Sequence, residues 1–409
     1  MSDRTEVTHF TDSSMKAWSS PPAFQTLRPS RQVRPSAPNC ACLLALVLSV
    51  PALAAPIGYN LTVVAKTGDR IDGKTLTGFR LPSFGANAPA INARGGVAFY
   101  ATYAEGAFVG EGIFTPASLV LNTGEPVGNQ TLDGISFVPA VNDDGTIVVR
   151  GLLSSQALAI LSSKAPLAEN GITIGGETLT SFGLPAINNK GTVAFEGSFS
   201  GGTGIFTQKA LLAKSGESIA GQPIASFGPP AINDRETVAF QAWFSGRIAT
   251  AILTPTAVLV KTGDTIGGKT LTDLYFGGAL NSSDAVAFVG TFSGGTGVFT
   301  QQALLVQAGD AIGGVTLTSF GSPVINDSGI VAFLGSYAGG SGIFTQNSAI
   351  AKTGDTICGR TAIGLGQPAI NRRGDVAFTA SFSDGSSAII LARPIAAYDA
   401  IRATRMACS

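Results

Sequence analysis

The sequence predicts an all-β fold, a seven-bladed β-propeller of four-stranded antiparallel blades that is closed by the N-terminal strand. Three observations predict it: a unit of about 45 residues recurs seven times, each unit holds four short apolar runs, and the two ends of the repeat region each supply part of a unit. Four antiparallel strands in that length match a propeller blade. A parallel β-helix, the alternative, needs only about half that period for each coil.

The most regular mark of the unit is an Asn, followed three residues later by Gly and then by Val-Ala-Phe, as in 188–195 (NNKGTVAF). Asn bonds its own backbone in turns and Gly supplies a positive φ, so this string predicts a tight turn between the first two strands. Glu236 and Asp284 replace the Gly in two copies, and Val149 replaces the Phe in one. We interpret the Asn as a turn residue, and a ring that lines a ligand site is the alternative. The seven residues are Asn92, Asn142, Asn188, Asn233, Asn281, Asn326 and Asn371.

The third copy illustrates the four predicted strands, which span 181–187, 193–199, 204–208 and 210–215. Short runs rich in β-branched and aromatic residues, separated by Gly, Ser, Asn and Asp, are typical of strands and turns. The string SGGTG at 200–204 predicts the hairpin between the second and third strands. The sequence shows no sustained apolar spacing of an amphipathic helix, so helical repeats fit poorly.

The two ends of the repeat region complement each other. Residues 61–68 match a fourth strand without a first three before them, and residues 369–392 supply the first three without a fourth after them. The N-terminal strand is therefore expected to complete the last blade, which leaves few exposed strand edges. The predicted organisation is a leader over 1–55, a propeller over 56–394 and a tail over 395–409.

An apolar stretch precedes the repeats. Residues 40–55 (CACLLALVLSVPALAA) follow the basic Arg28, Arg31 and Arg34, end in a small-x-small pattern and are too short to span a bilayer. These features predict a secretory signal peptide cleaved near Ala54, and a buried helix or strand is the alternative. We therefore expect an exported protein, periplasmic, on the cell surface or secreted, without a transmembrane segment in the mature chain.

The composition excludes several classes of function. The chain has 26 basic and 26 acidic residues, so no net charge attracts it to nucleic acid. The single histidine, His9, lies ahead of the cleavage site, which leaves the mature chain without an imidazole for a Ser-His-Asp triad, a Cys-His dyad or a His-ligated zinc site. Cys358 and Cys408 are too few for a disulfide framework. We expect a monomer without a cofactor.

A second repeated string follows the fourth strand, as in 262–271 (TGDTIGGKTL), and places an acidic residue after a Gly in six copies. Six carboxylates on one propeller face could bind Ca²⁺, which takes clustered oxygen ligands. The alternative is that each carboxylate accepts hydrogen bonds within its own turn, and recurrence in nearly every unit favours this alternative. The candidate calcium ligands are Asp69, Asp264, Asp310 and Asp355, with Glu125 and Glu217 at the equivalent positions.

Aromatic residues that break the repeat are the candidate ligand-binding residues. Trp243 and Arg247 lie in 241–250 (QAWFSGRIAT), where other copies have small residues and Gly, and Tyr100 and Tyr103 lie in the equivalent stretch of the first copy. Exposed aromatic residues beside an Arg are typical of recognition surfaces and of sugar stacking. The alternative is that Trp243 fills a gap between blades.

The string Pro-x-x-Asn-x-x-Gly-x-Val-Ala-Phe resembles the blades of TolB-like propellers. More specifically, the chain resembles a group of bacterial exported proteins with tandem Asn-x-x-Gly-x-x-Ala-Phe repeats and varied C-terminal anchors. The resemblance covers about residues 60–393, implies export and a repeat fold, and assigns neither a biochemical function nor a catalytic residue. Residues 394–409 depart from the group, since they show neither an apolar span nor a recognisable sorting motif.

These patterns favour an exported, non-enzymatic propeller that acts as an interaction or structural module for an unknown protein or glycan. The alternative is an extracytoplasmic carbohydrate-active enzyme or glycan-binding protein that uses Asp, Glu and aromatic residues on one propeller face. A glycosidase needs two carboxylates at a set separation. An enzyme is also expected to carry long insertions or clustered charges in one or two blades, whereas the copies vary only between 45 and 50 residues. The module is therefore the favoured interpretation.

Overall fold

The computed structural model describes residues 58–79, 88–136, 138–163, 165–219, 221–245 and 249–395. The predicted leader, and the tail beyond residue 395, lie outside these ranges. Every regular element in the described residues is a β-strand, and the strands form seven antiparallel sheets that follow one another along the chain. This arrangement confirms the all-β, seven-bladed propeller. The described residues belong to one compact unit.

Each blade contains an inner, a second, a third and an outer strand, and a two-residue hairpin strand precedes the inner strand. The strands of the first blade are Arg70–Ile71, Lys74–Gly78, Ala90–Ile91, Val97–Glu105, Phe108–Phe114 and Leu119–Asn122. Those of the second blade are Pro126–Val127, Gln130–Ile135, Ala140–Val141, Ile147–Leu153, Leu158–Ser162 and Pro166–Glu169. Those of the third blade are Thr173–Ile174, Glu177–Phe182, Ala186–Ile187, Val193–Phe199, Gly202–Thr207 and Leu211–Lys214.

The remaining four blades follow the same order, with a continuous inner strand in the fourth and fifth. The strands of the fourth blade are Ser218–Ile219, Gln222–Ile232, Val238–Phe244, Thr250–Leu253 and Val258–Lys261. Those of the fifth are Thr265–Ile266, Lys269–Leu280, Val286–Phe292, Gly295–Thr300 and Leu304–Gln307. Those of the sixth are Ala311–Ile312, Val315–Phe320, Val324–Ile325, Val331–Tyr337, Gly340–Thr345 and Ala349–Lys352. Those of the seventh are Thr356–Ile357, Arg360–Leu365, Ala369–Ile370, Val376–Phe382, Ser387–Pro394 and, from the other end of the repeats, Tyr59–Lys66.

The inner strand differs from the single run predicted over 181–187. It begins earlier, at Glu177, stops after Phe182 and resumes at Ala186. Pro185 has no N–H to donate to the neighbouring strand, but Pro230 at the equivalent position of the fourth blade lies within a continuous strand, so the proline alone does not explain the interruption. The string TIGGK, predicted to be a connection, forms a small hairpin instead, in which Gly267 and Gly268 take φ of +58° and +75° as a tight two-residue hairpin turn requires.

The Val-Ala-Phe string explains how the blades pack against each other. Phe195 is fully buried, stacks on Phe206 with ring centroids 6.1 Å apart, and belongs to a core that also contains Val148 of the preceding blade. The intervening Ala194 faces the other way and packs in the core of the following blade, beside Phe240. Large side chains on one face of a blade therefore meet small side chains on its neighbour, which allows close packing around the ring.

The N-terminal strand closes the ring. Strand Tyr59–Lys66 pairs antiparallel with Ser387–Pro394, with Leu61 opposite Ala392. Packing joins the same two ends, since Leu391 of the seventh blade lies in one core with Phe99 of the first. Strand pairing and apolar burial both join the ends of the chain, and the predicted closure is confirmed.

Candidate functional site

The seven turn Asn residues form a closed cycle of hydrogen bonds around the propeller centre. Each Nδ2 donates to the main-chain oxygen of the next Asn along the chain, at 2.9–3.3 Å, and Asn371 donates to Asn92 at 3.0 Å. All seven side chains are buried, with 3–8% of their surface exposed. The cycle, which we call the Asn ring, therefore links every blade to its neighbour at one end of the propeller.

The other end of each amide closes the turn that carries it. In the third blade, Asn188 Oδ1 accepts hydrogen bonds from the main-chain N–H of Lys190 at 3.1 Å and of Thr192 at 2.9 Å. Gly191 donates to the Asn188 carbonyl at 3.1 Å and takes a φ of +78°. These are the hydrogen bonds expected of a turn residue. The bond from each Nδ2 to the next blade is an additional one that the sequence did not predict.

The residues that follow the ring Asn line a polar cavity of about 180 Å³. Carboxylate and amide groups link neighbouring blades there: Ala93 N–H donates to Asp143 at 2.7 Å, and Asn189 N–H donates to Asp234 at 2.8 Å. Arg372 forms an ion pair with Asp143 across the cavity. The seven lining positions are Ala93, Asp143, Asn189, Asp234, Ser282, Asp327 and Arg372. This mouth is a polar surface whose charges largely bridge the blades.

The candidate calcium ligands each accept a hydrogen bond in their own turn. The acceptor oxygen lies 2.8–3.1 Å from the main-chain nitrogen three residues earlier, as in Lys261 N–H to Asp264 at 2.9 Å. Lys66 and Lys261 also form ion pairs with Asp69 and Asp264. In the part of the chain that the structure describes, no group of three His, Cys, Asp or Glu side chains is placed to hold a metal ion. The hydrogen bonds of these carboxylates are those expected if each one closes its own turn.

Tyr100 and Tyr103 are buried, with 6% and 1% of their surface exposed, so the expectation that they form an exposed recognition surface is wrong. Tyr103 occupies the position of Phe199 in the third blade, and its ring packs edge-on against Phe114 with centroids 5.9 Å apart. Tyr100 lies in the core shared with the second blade. Alignment with the repeated Phe is the sequence signal that identifies Tyr103 as a core residue.

Trp243 is 38% exposed and lies at the groove between the fourth and fifth blades. Beside it, Thr250 Oγ1 donates to Asp273 Oδ1 of the fifth blade at 3.0 Å. Deeper in the groove, the buried Gln241 side chain bonds to the main chain of Leu274 and Phe276 at 3.0 and 2.9 Å. These contacts hold the wall of the groove while Trp243 stays open to solvent. Its predicted neighbour Arg247 lies outside the described residues.

Other exposed apolar side chains lie at the same end of the propeller as Trp243. We call this end the hairpin face, because it carries the hairpins between second and third strands and the connections from the outer strand to the next blade. Phe108 and Val109, 55% and 68% exposed, belong to the second hairpin of the first blade, and Ile363, 61% exposed, lies beside the hairpin end of the seventh. Sequence patterns did not single out these three residues. The signal for Ile363 is that four of the other six blades carry Thr there, as at Thr180.

The fourth residue of the second strand differs in every blade and faces the next blade. In the second blade Arg150 donates from Nη1 to the Phe182 carbonyl at 3.3 Å. In the third blade burial raises the pKa of the Glu196 carboxyl above its ordinary value. The seven residues at this position are Tyr100, Arg150, Glu196, Gln241, Val289, Leu334 and Thr379. Only the second and third blades carry a charged residue at this position, Arg150 and Glu196.

The described residues include no helix that is long and apolar enough to cross a membrane. Among solved structures, the chain is similar to the β-propeller domain of Cps50 (Swd1) from Myceliophteria thermophila, with 10% identity over 76% of this chain and 98% of that one and a TM-score of 0.39. It is also similar to virginiamycin B lyase from Staphylococcus aureus, with 10% identity over 82% and 100% of the two chains and a TM-score of 0.36. Prolyl oligopeptidase B from Galerina marginata gives 9% identity over 72% and 46%, with a TM-score of 0.42.

No curated protein matches the chain. A protein-family model does match, over residues 49–247 and again over 207–388, so the matched region contains nearly all the described strands. The two matches overlap over residues 207–247, as expected where a repeated unit lets one model align at two places along a chain. The chain belongs to the family of unknown function DUF7453.

Proposed function

We propose that this protein is an exported, non-enzymatic β-propeller that binds a protein or glycan partner on its hairpin face. The exposed apolar side chains on that face carry the proposal: they are Phe108, Val109, Trp243 and Ile363. Exposed aromatic and large aliphatic side chains are enriched where proteins bind partners, because their burial on binding releases water from apolar surface. The opposite end presents the polar mouth of the Asn ring instead.

The use of the repeated polar groups supports a binding module over an enzyme. In the ring Asn residues both the Nδ2 and the Oδ1 of the side chain are hydrogen-bonded to the main chain. The acidic residues after the outer strands also accept main-chain hydrogen bonds. Polar groups already engaged in structural hydrogen bonds are poor candidates for acid-base or nucleophilic chemistry, which needs a group free to reach the substrate.

In this proposal the protein acts as a monomer, and light scattering of the purified chain tests its mass.

Export is the second part of the proposal and rests on the apolar stretch at 40–55 with its small-x-small end. Membership of the exported group with tandem Asn-x-x-Gly-x-x-Ala-Phe repeats belongs to the same proposal. We expect the mature protein to begin at about Ala55. N-terminal sequencing of material recovered outside the cytoplasm tests this, and mature protein that still contains His9 would contradict it.

A glycan array probed with the exported protein tests the binding function. We expect Trp243→Ser and Ile363→Thr, which introduce residues that other blades carry at these positions, to reduce binding at least tenfold without lowering the melting temperature. Arg235→Gln, at the polar end, is the matched control and is expected to bind normally. Release of a cleaved glycan product, or equal binding by all variants, would contradict the proposal.

A further inference from the structure

The groove between the second and third blades departs from the repeat at the ladder pair that contains the sixth residue of the second strand. In the second blade this pair is Leu152 and Leu158, both apolar. In the other six blades at least one member is polar. Those pairs are Thr102–Glu111, Ser198–Thr203, Trp243–Thr250, Thr291–Thr296, Ser336–Ser341 and Ser381–Ser387. A single blade therefore presents an apolar wall where its neighbours present hydroxyl groups.

This wall lines a cavity of about 490 Å³. Leu184 of the third blade faces Leu152 and Leu158 across it, and Ile135 and Val138 complete an apolar lining. Pockets for small molecules commonly enclose roughly 300–1,000 Å³, with apolar walls and a few polar groups that fix orientation. The cavity has the size and the lining of such a pocket.

Arg150 supplies the one charge among the described residues of the lining. Its Nη1 donates to the Phe182 carbonyl at 3.3 Å, and no carboxylate of the described residues lies within ion-pair distance of its guanidinium. A guanidinium carries five N–H donors in a fork that matches a carboxylate. Beside apolar walls, an uncompensated cation is stabilised by an anionic ligand, because the low local dielectric strengthens the attraction.

We propose that this groove binds a small amphipathic carboxylate, an apolar chain that ends in one carboxyl group. The carboxylate lies on Arg150, and the chain follows Leu152, Leu158 and Leu184. The charge of the site selects an anion over an alcohol or an amine of the same length, and its walls select an apolar chain over a sugar. The site differs from the surface around Trp243, so it stands or fails separately from the partner proposed above.

Isothermal titration of the purified full chain with decanoate, below its micelle concentration, tests the site. We expect decanoate to bind at least tenfold more tightly than decanol. Arg150→Gln is expected to remove this difference while it leaves decanol binding within twofold of wild type. The variant suits the fold, because Gln241 occupies the same position in the fourth blade and donates to the Leu274 carbonyl as Arg150 does to Phe182.

Two further variants separate a specific site from general apolar binding. Leu152→Ser with Leu158→Thr copies the third blade and is expected to weaken both ligands at least tenfold, whereas Arg235→Gln, the control for loss of an arginine elsewhere, is expected to weaken neither. Melting temperatures confirm that each variant is folded. Undetectable decanoate binding, equal affinity for decanoate and decanol, or unchanged binding in Arg150→Gln would overturn the proposal.

Discussion

Replacing one ring Asn with Ala tests whether the Asn ring is structural. Asn188→Ala removes three hydrogen bonds: the two that Oδ1 accepts from Lys190 and Thr192, and the one that Nδ2 donates to Asn233 at 3.0 Å. Each is worth roughly 0.5–1.5 kcal/mol net. Lys190 is an exposed residue, so water can replace the bond to its N–H, and the Asn233 carbonyl keeps its bond from Glu236 N–H at 3.0 Å. The expected loss is therefore about 2–3 kcal/mol, below the sum of three full bonds.

Calorimetry and urea unfolding measure this loss. For a ring of this length, an unfolding entropy of roughly 2.1 cal/mol/K per residue converts the loss into a fall of about 3–4 °C in Tm. Asn347→Ala, at an exposed turn position, is the control and is expected to change stability by less than about 0.5 kcal/mol. Equal stability of the two variants would refute the structural role of the ring. Loss of ligand binding at unchanged Tm would assign the ring to a binding site instead.

The remaining predictions concern a buried carboxyl and the closing strand. Burial raises the pKa of Glu196 in the folded protein, so stability falls as pH rises from the ordinary glutamate pKa through the folded value. Glu196→Gln is therefore expected to raise Tm at pH 7 and to leave Tm unchanged at a pH below both the ordinary and the folded pKa of the glutamate. Thermal melts across pH check this, and an equal gain in Tm at every pH would refute the role of the charge. Deleting 59–66 removes the outer strand of the seventh blade and is expected to abolish a cooperative melt and to cause aggregation, whereas deleting 396–409 leaves every described strand intact and is expected to be nearly neutral. Equal tolerance of both deletions would argue against a closed ring.

Residue spacing was sufficient to predict the blades and their closure. The recurrence of Asn every 45–50 residues sets one turn in each unit, and residues 61–68 lacked the strands that 369–392 supply. The recurrence of Asn and the missing strands at the two ends are both features of residue order, which can be read directly from the sequence. The split of the inner strand depends on its local pairing with the second strand, so it became visible only in the sheet register.

The candidate sites were harder to predict, because each depends on contacts between blades. The sequence marks Asn188 as a turn residue but does not show that its Nδ2 reaches Asn233, 45 residues away. Tyr103 breaks the repeat in chemistry while it keeps the packing position of a Phe, and its hydroxyl misled the prediction of exposure. Arg150 and Leu184 lie in different blades, so their shared cavity follows from ring geometry and not from spacing.

The closing strand also sets the order in which the protein can reach its native state. Thr62 and Leu391 are hydrogen-bonded partners separated by 329 positions, so the strand that contains Thr62 pairs only after more than 300 further residues have been synthesised. Contacts this distant in sequence form slowly, because chain entropy must be lost before they contribute. A chain that ends before residue 387 has no partner for its first strand and keeps an open sheet edge. Ring closure therefore requires both ends of the repeat region, and the seventh sheet keeps an open edge until they pair.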